Sequence, residues 1–213
     1  LNHGTVNFFI PVLIVLVVGE LIAGENQEGT IRLVLSRPLH RHQLLTAKLI
    51  SATIYTFLLF VIMITISLGA GLLIFGKGSL FVTGLFLGNE GWFNILNSSN
   101  ALTRLLMVYG IAFLILLTVT SLSFFLSSIL RNPVAAIITP LVLIIFLRIM
   151  SAFPFLEEIR PYLFTTHMDL WVDILAPEIP WKDIGHSLII LTLHSVLFIV
   201  GSFIVFNKKD ILS

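Results

Sequence analysis

The chain has 213 residues, of which 57% are hydrophobic and only 11% charged; its formal net charge is +1 and it contains no cysteine. Soluble domains run about 25% charged, so an ordinary water-soluble domain is excluded, and zero cysteines exclude a disulfide framework or a thiolate metal site. No basic patch interleaved with aromatics points to nucleic acid.

With a mean hydropathy of +1.07, apolar runs of about 18 residues or more read as transmembrane helices, because a helix satisfies its own backbone groups in lipid. Five spans follow in chain order, over 6–24, 45–75, 102–130, 134–153 and 186–206. The expected fold is all-α: a polytopic helical membrane protein forming a single transmembrane domain over 1–213. The first run lacks a basic flank and is followed by acidic residues rather than a small-residue cleavage site, so it does not read as a signal peptide.

Lys and Arg set the orientation. Arg32, Arg37, Arg41 and Lys48 follow span one, Arg131 follows span three, and Lys208 and Lys209 lie in the tail. These regions share one side if every span crosses, and that side is expected to be cytoplasmic. The opposite segments, 76–101 and 154–185, hold seven acidic residues against Lys77, Arg160 and Lys182. Five crossings from a first residue, Leu1, that is not Met lead us to expect a sixth span upstream, with both termini inside and the C-terminus cytoplasmic.

Two outer segments carry structure of their own. Ser79–Gly88 is apolar but only ~10 residues long, too short to cross. It reads as a re-entrant or interfacial piece, with Trp92 at headgroup level. The segment from Phe153 to Trp181 has four prolines together with Tyr162, Trp171 and Trp181, which suggests short helices lying along the outer interface.

Several motifs fail on inspection. Gly71-Leu-Leu-Ile-Phe-Gly76-Lys77-Gly78 nearly spells a phosphate-binding loop, but Gly78 stands where Ser or Thr should hold Mg²⁺, and the match ends a membrane helix instead of following a strand. Asn97-Ser98-Ser99 fits a glycosylation sequon of a kind frequent by chance. Ser121, Ser123, Ser127 and Ser128 have no base nearby in sequence and read as small residues at helix contacts. Two ionisable residues within spans are singled out. Arg148, roughly 8 Å of helix from the outer end of span four, either snorkels or pairs, or lines a substrate path. His194, near the middle of span five, is either a neutral imidazole bonded to a neighbouring helix or a relay.

The segment after span one concentrates polar residues. Ile31, Val34 and Leu35 fall on one face of a short helix, and Pro38 disfavours helix at Arg37. The expected result is a short amphipathic cytoplasmic helix followed by a second helix from near His40 into span two. As a bare basic loop, the segment is equally a topology signal.

The residue order Glu25, Glu28-Gly29-Thr30, Leu35-Ser36-x-Pro38, Arg41 and Lys48 resembles the cytoplasmic signature of the ABC-type, type-2 exporter permease family. The Arg131-Asn132-Pro133 turn, the long outer segment before the last span and the ending Phe206-Asn207-Lys208-Lys209-Asp210 are similar as well. The resemblance implies six spans, a pore made with a second permease copy, and a separate cytosolic ATPase that binds ATP and Mg. It further implies a coupling element built from Glu25, Glu28, Gly29, Thr30, Arg32, Ser36, Arg37, Pro38 and Arg41, in a prokaryotic plasma or inner membrane. No catalytic residue, cofactor or metal is expected in the chain itself.

Rival readings are a secondary transporter and an intramembrane lipid-modifying enzyme using Arg148 and His194. The first should show a broken helix in each of two matching halves; Pro140 is expected to break span four alone. The second should show convergent acid, base and nucleophile, which are missing from the sequence.

Overall fold

A computed structural model describes residues 5–28, 41–76, 80–83, 93–154 and 157–208. Each apolar run forms a helix long and apolar enough to cross a membrane, as expected of chain that must satisfy its amides without water. A π-helical lead-in, Thr5–Phe9, opens into α1 (Ile10–Glu28); α2 covers Arg41–Phe75, α3 Ser98–Ile129, α4 Pro133–Ser151 and α5 Trp181–Lys208. The chain is an all-α, multi-pass helical membrane protein. All five spans coincide with the apolar runs of the sequence, most of them extended by a few residues at their ends.

Local chemistry sets the boundaries. Gly76 closes α2 with φ 68°, its amide donating to the Leu72 carbonyl at 3.1 Å. This is the left-handed cap that glycine adopts at little cost, so Gly71–Gly76 is a span terminus. Pro133 begins α4 at a position that needs no amide donor, and the Asn132 side chain accepts from Val134 N at 2.9 Å and Ala135 N at 3.4 Å. Pro140 does not break α4, contrary to expectation: the helix continues through it, as membrane helices allow where neighbours compensate.

Helix α3 is the central post. Within the apolar windows, 61% of α3 and 56% of α1 are buried, against 11% of α2 and 17% each of α4 and α5. The small polar residues of α3 make the contacts. Thr120 and Thr56 of α2 share a hydrogen bond of 2.7 Å, and Ser195 of α5 donates to Thr118 at 2.9 Å. Ser127 donates to the Gly19 carbonyl of α1 at 2.6 Å and accepts from the Ile22 and Ala23 amides at 3.1 and 3.2 Å. The serine cluster is therefore a packing face, of the kind that lets membrane helices approach closely.

Gly19 also faces α4. A Cβ built there would stand 2.8 Å from the Ala136 carbonyl oxygen. That oxygen is four residues before Pro140, which has no N–H to give it. Helix α1 approaches α4 where α4 has released a carbonyl.

Beyond α2, β1 (Leu80–Thr83) and β2 (Phe93–Leu96) pair antiparallel, Leu80 opposite Leu96. In its described part, 80–83, the apolar stretch 79–88 is therefore a strand; Trp92 lies outside the described residues. Between α4 and α5 the chain forms short 3₁₀ helices, Arg160–Tyr162 and Phe164–Leu175. A 3₁₀ turn has three residues, so Thr165, Met168, Trp171 and Ile174 stack in one column, each buried. Short helices were expected here, but the longer one is packed into the protein: Trp171 is fully buried, while Phe153, Tyr162 and Trp181 are exposed.

Candidate functional site

The helices alternate in direction, so two polar clusters form at opposite ends of the bundle. At the first, α1 ends and α2 begins on either side of residues 29–40. Lys48 is buried there, its side chain 8% exposed. Its ammonium donates to the Leu21 carbonyl and pairs with Glu25 Oε2, both at 2.6 Å. An ammonium taken out of water needs such partners. About two turns earlier, Arg41 Nη1 donates to the Asn207 carbonyl of α5 at 3.4 Å. The start of α2 is thereby tied to the ends of both α1 and α5. Glu28 is exposed at the end of α1.

At the opposite end, Arg148 in the last turn of α4 pairs through Nη2 with Asp169 Oδ1 at 3.2 Å. Asn7, in the lead-in to α1, donates to the same oxygen. Arg148 and Asn7 also line a cleft of about 200 Å³ between α1 and α4, whose remaining walls are Phe8, Pro11, Val12, Leu141, Ile144 and Ile145. Arg104 of α3 donates to the Ile174 carbonyl at 3.2 Å, to the Pro177 carbonyl at 3.3 Å and to the Ala176 carbonyl. It thus covers carbonyls that the end of a helix leaves without amide donors.

Close by, His167 Nε2 lies 2.8 Å from the Pro161 carbonyl and Nδ1 2.8 Å from Ser187 Oγ. A carbonyl only accepts, so Nε2 carries the hydrogen and Nδ1 accepts from the Ser187 hydroxyl. Burial pushes the His167 pKa below its ordinary value; the Pro161 bond opposes this, and His186 and His194 reinforce it. Asp173 is shifted the other way, upward, by burial and by the carboxylates of Asp183 and Asp169. Among the described residues, these histidines and acids form no group that could hold a metal.

A family model described as "Protein of unknown function (DUF2705)" matches residues 2–212. The chain belongs to this family. It is also similar to the "Uncharacterized protein YhcI" of Bacillus subtilis (strain 168), 28% identical over 200 residues, which cover 92% of this chain and 63% of that protein. The chain therefore spans less than two thirds of its relative's length. The family match takes in all five helices and both polar clusters.

Within this DUF2705 chain, the residues singled out from sequence fall into three groups. Glu25, Glu28 and Arg41 are at the first end; Gly29, Thr30, Arg32, Ser36, Arg37 and Pro38 lie outside the described residues, as does the apolar face of Ile31, Val34 and Leu35. Arg148 is paired with Asp169 and lines the cleft. His194 bonds the Ile190 carbonyl of its own helix at 2.9 Å instead of a neighbouring helix, and packs against the Phe164 and Phe198 rings. Among the described residues, no hydrogen bond, ion pair or ring contact joins Arg148 to His194.

Sequence reasoning missed Asn7, Asp169, Arg104 and the His167–Ser187 pair. Arg104 gave one signal, a cation just inside an apolar run. The others are joined across long separations, Asn7 to Asp169 spanning 162 positions.

Proposed function

We propose that this chain is the membrane permease subunit of an ATP-binding-cassette exporter. A second permease copy would complete the pathway, and a separate cytosolic ATPase would bind ATP and Mg. The coupling element is the segment from Glu25 to Arg41, which includes Glu28, Gly29, Thr30, Arg32, Ser36, Arg37 and Pro38. The orientation proposed is C-terminus cytoplasmic, in a prokaryotic plasma or inner membrane, with the Lys48 end facing the cytosol.

The observation that supports this reading best is the buried Lys48–Glu25 pair with its Leu21 bond. A force applied to a loop moves membrane helices only if the loop's roots cannot slide independently. Here one root is bound to the other, and Arg41 adds α5 through Asn207. Displacement of the segment would be carried as a rigid-body motion into three spans, the usual form of such transitions. Substrate passage would involve the end that holds Arg148, with His194 on α5 facing the outer 3₁₀ helix.

The decisive experiment reverses two charges in the segment, Arg32→Glu with Arg37→Glu. Normal insertion with loss of ATPase co-purification and of transport-coupled hydrolysis is expected, because a buried interfacial charge that loses its partner costs about 2–5 kcal/mol. A stoichiometric ATPase partner and normal transport in the double variant would reduce the segment to a topology signal.

A further inference from the structure

The cleft between α1 and α4 has the polarity of a lipid. Its polar lining residues, Asn7 and Arg148, belong to the start of the first span and the last turn of α4, the depth at which headgroups meet hydrocarbon. From there Val12 is five residues deeper and Leu141 seven, roughly 8 and 10 Å of helix at 1.5 Å per residue. All the lining at that depth is apolar. Phe8 and Ile145 on its rim are about half exposed, so the cleft opens sideways, toward the bilayer.

Arg148 is the charged group lining this space; Asp169, its partner, does not line it. A guanidinium carries five N–H donors in a planar fork that matches the oxygens of phosphate and carboxylate. Among the described residues one of them meets a protein acceptor, through Nη2, and Nε is buried without one. Asp169 therefore holds one corner of the fork and leaves most of its donors unspent beside an apolar slot.

We propose that the cleft is a binding site for one anionic membrane amphiphile, its acyl chain along Val12, Leu141 and Ile144 and its phosphate or carboxylate oxygens on Arg148. Binding at this site requires no ATPase, so the inference stands apart from the exporter reading.

The test is native mass spectrometry of the full chain released from nanodiscs of phosphatidylcholine, containing either phosphatidylglycerol or oleate as a minor component. One phosphatidylglycerol or one oleate per chain should survive conditions that strip phosphatidylcholine; which of the two survives assigns a phosphate or a carboxylate head. Arg148→Gln should lower that occupancy about tenfold, the equivalent of one charge-assisted hydrogen bond, and Arg148→Lys should fall between. Val12→Trp fills the slot with the Arg148–Asp169 pair intact and should also empty the site, which decides the matter if Arg148→Gln does not fold. Equal retention of phosphatidylcholine in the wild type, or undiminished anionic lipid on Val12→Trp, overturns the proposal.

Discussion

Removing either partner of the Lys48–Glu25 pair should weaken the fold, but unequally. Glu25→Ala leaves an ammonium buried with, among the described residues, only the Leu21 carbonyl still bonded to it. Breaking a buried pair in this direction costs about 3–5 kcal/mol; Glu25 is 40% exposed, so the solvent-screened figure is about 2–3 kcal/mol. Lys48→Met deletes the buried charge, keeps most of the side-chain volume and leaves Glu25 within reach of water, for a loss of about 1 kcal/mol. At ~2–4 °C per kcal/mol for a chain of this size, Glu25→Ala should lower Tm by about 5–10 °C and Lys48→Met by about 2–4 °C. The double variant should resemble Lys48→Met alone. Thermal unfolding in detergent, followed by circular dichroism, supplies all three numbers. A Lys48→Met loss as large as that of Glu25→Ala would refute the claim that the buried charge, more than the contact, dominates this site.

Three further outcomes follow from the packing and the outer end. Gly19→Val places carbon 2.8 Å from the Ala136 carbonyl oxygen and should destabilise by about 1–3 kcal/mol, whereas Gly110→Ala, with open space around it, should change stability by less than about 1 kcal/mol. Ser127→Ala removes the hydroxyl shared by Gly19, Ile22 and Ala23 and should lose about 0.5–1.5 kcal/mol, the range measured for interhelical hydrogen bonds in membranes; the same unfolding assay reads both. For His167 the lowered pKa means that the unfolded chain binds the proton more readily. Its contribution is complete above the ordinary value of 6.5, declines as pH falls through it, and levels off below the lowered folded value. Asp173, raised from 3.8, acts oppositely, adding stability as pH falls through its folded value. Tm measured at about pH 7.5 and about pH 5.5 should drop less on acidification in His167→Gln than in the wild type; an equal drop would remove His167 as the origin.

What the sequence made legible is what composition and short-range chemistry control. Apolar runs specified every span, Asn132-Pro133 and Gly76 marked boundaries through capping, and the serines of α3 announced a close-packed face. Pro140 misled, because proline's missing donor ends a helix in water more readily than inside a bundle. The pairing of 80–83 with β2 was not legible, because four residues of strand and a short interfacial piece present the same apolar signal. Trp171 was read with its neighbours as part of short helices along the outer interface, and only the three-residue period of Thr165, Met168, Trp171 and Ile174, visible in retrospect, distinguishes a buried 3₁₀ column. The polar clusters were half legible. Arg148 and Glu25 stood out as charges near apolar runs, but their partners are chosen by how the helices pack, and Asn7 and Asp169 look unremarkable until α1 and α4 are side by side.

The carbonyl of Ala136 has a mechanical consequence. Helix α4 is a rod with one rung missing from its ladder, and the missing rung lies where α1 presses against it at Gly19. Toward Pro133 the rod is held by its Asn132 cap and by that contact. Toward Ser151 it carries Leu141, Ile144, Ile145 and Arg148, one whole wall of the cleft. A helix bends most readily at such a missing rung, so a bend of α4 there would open or narrow that wall, with its pivot at the contact with α1.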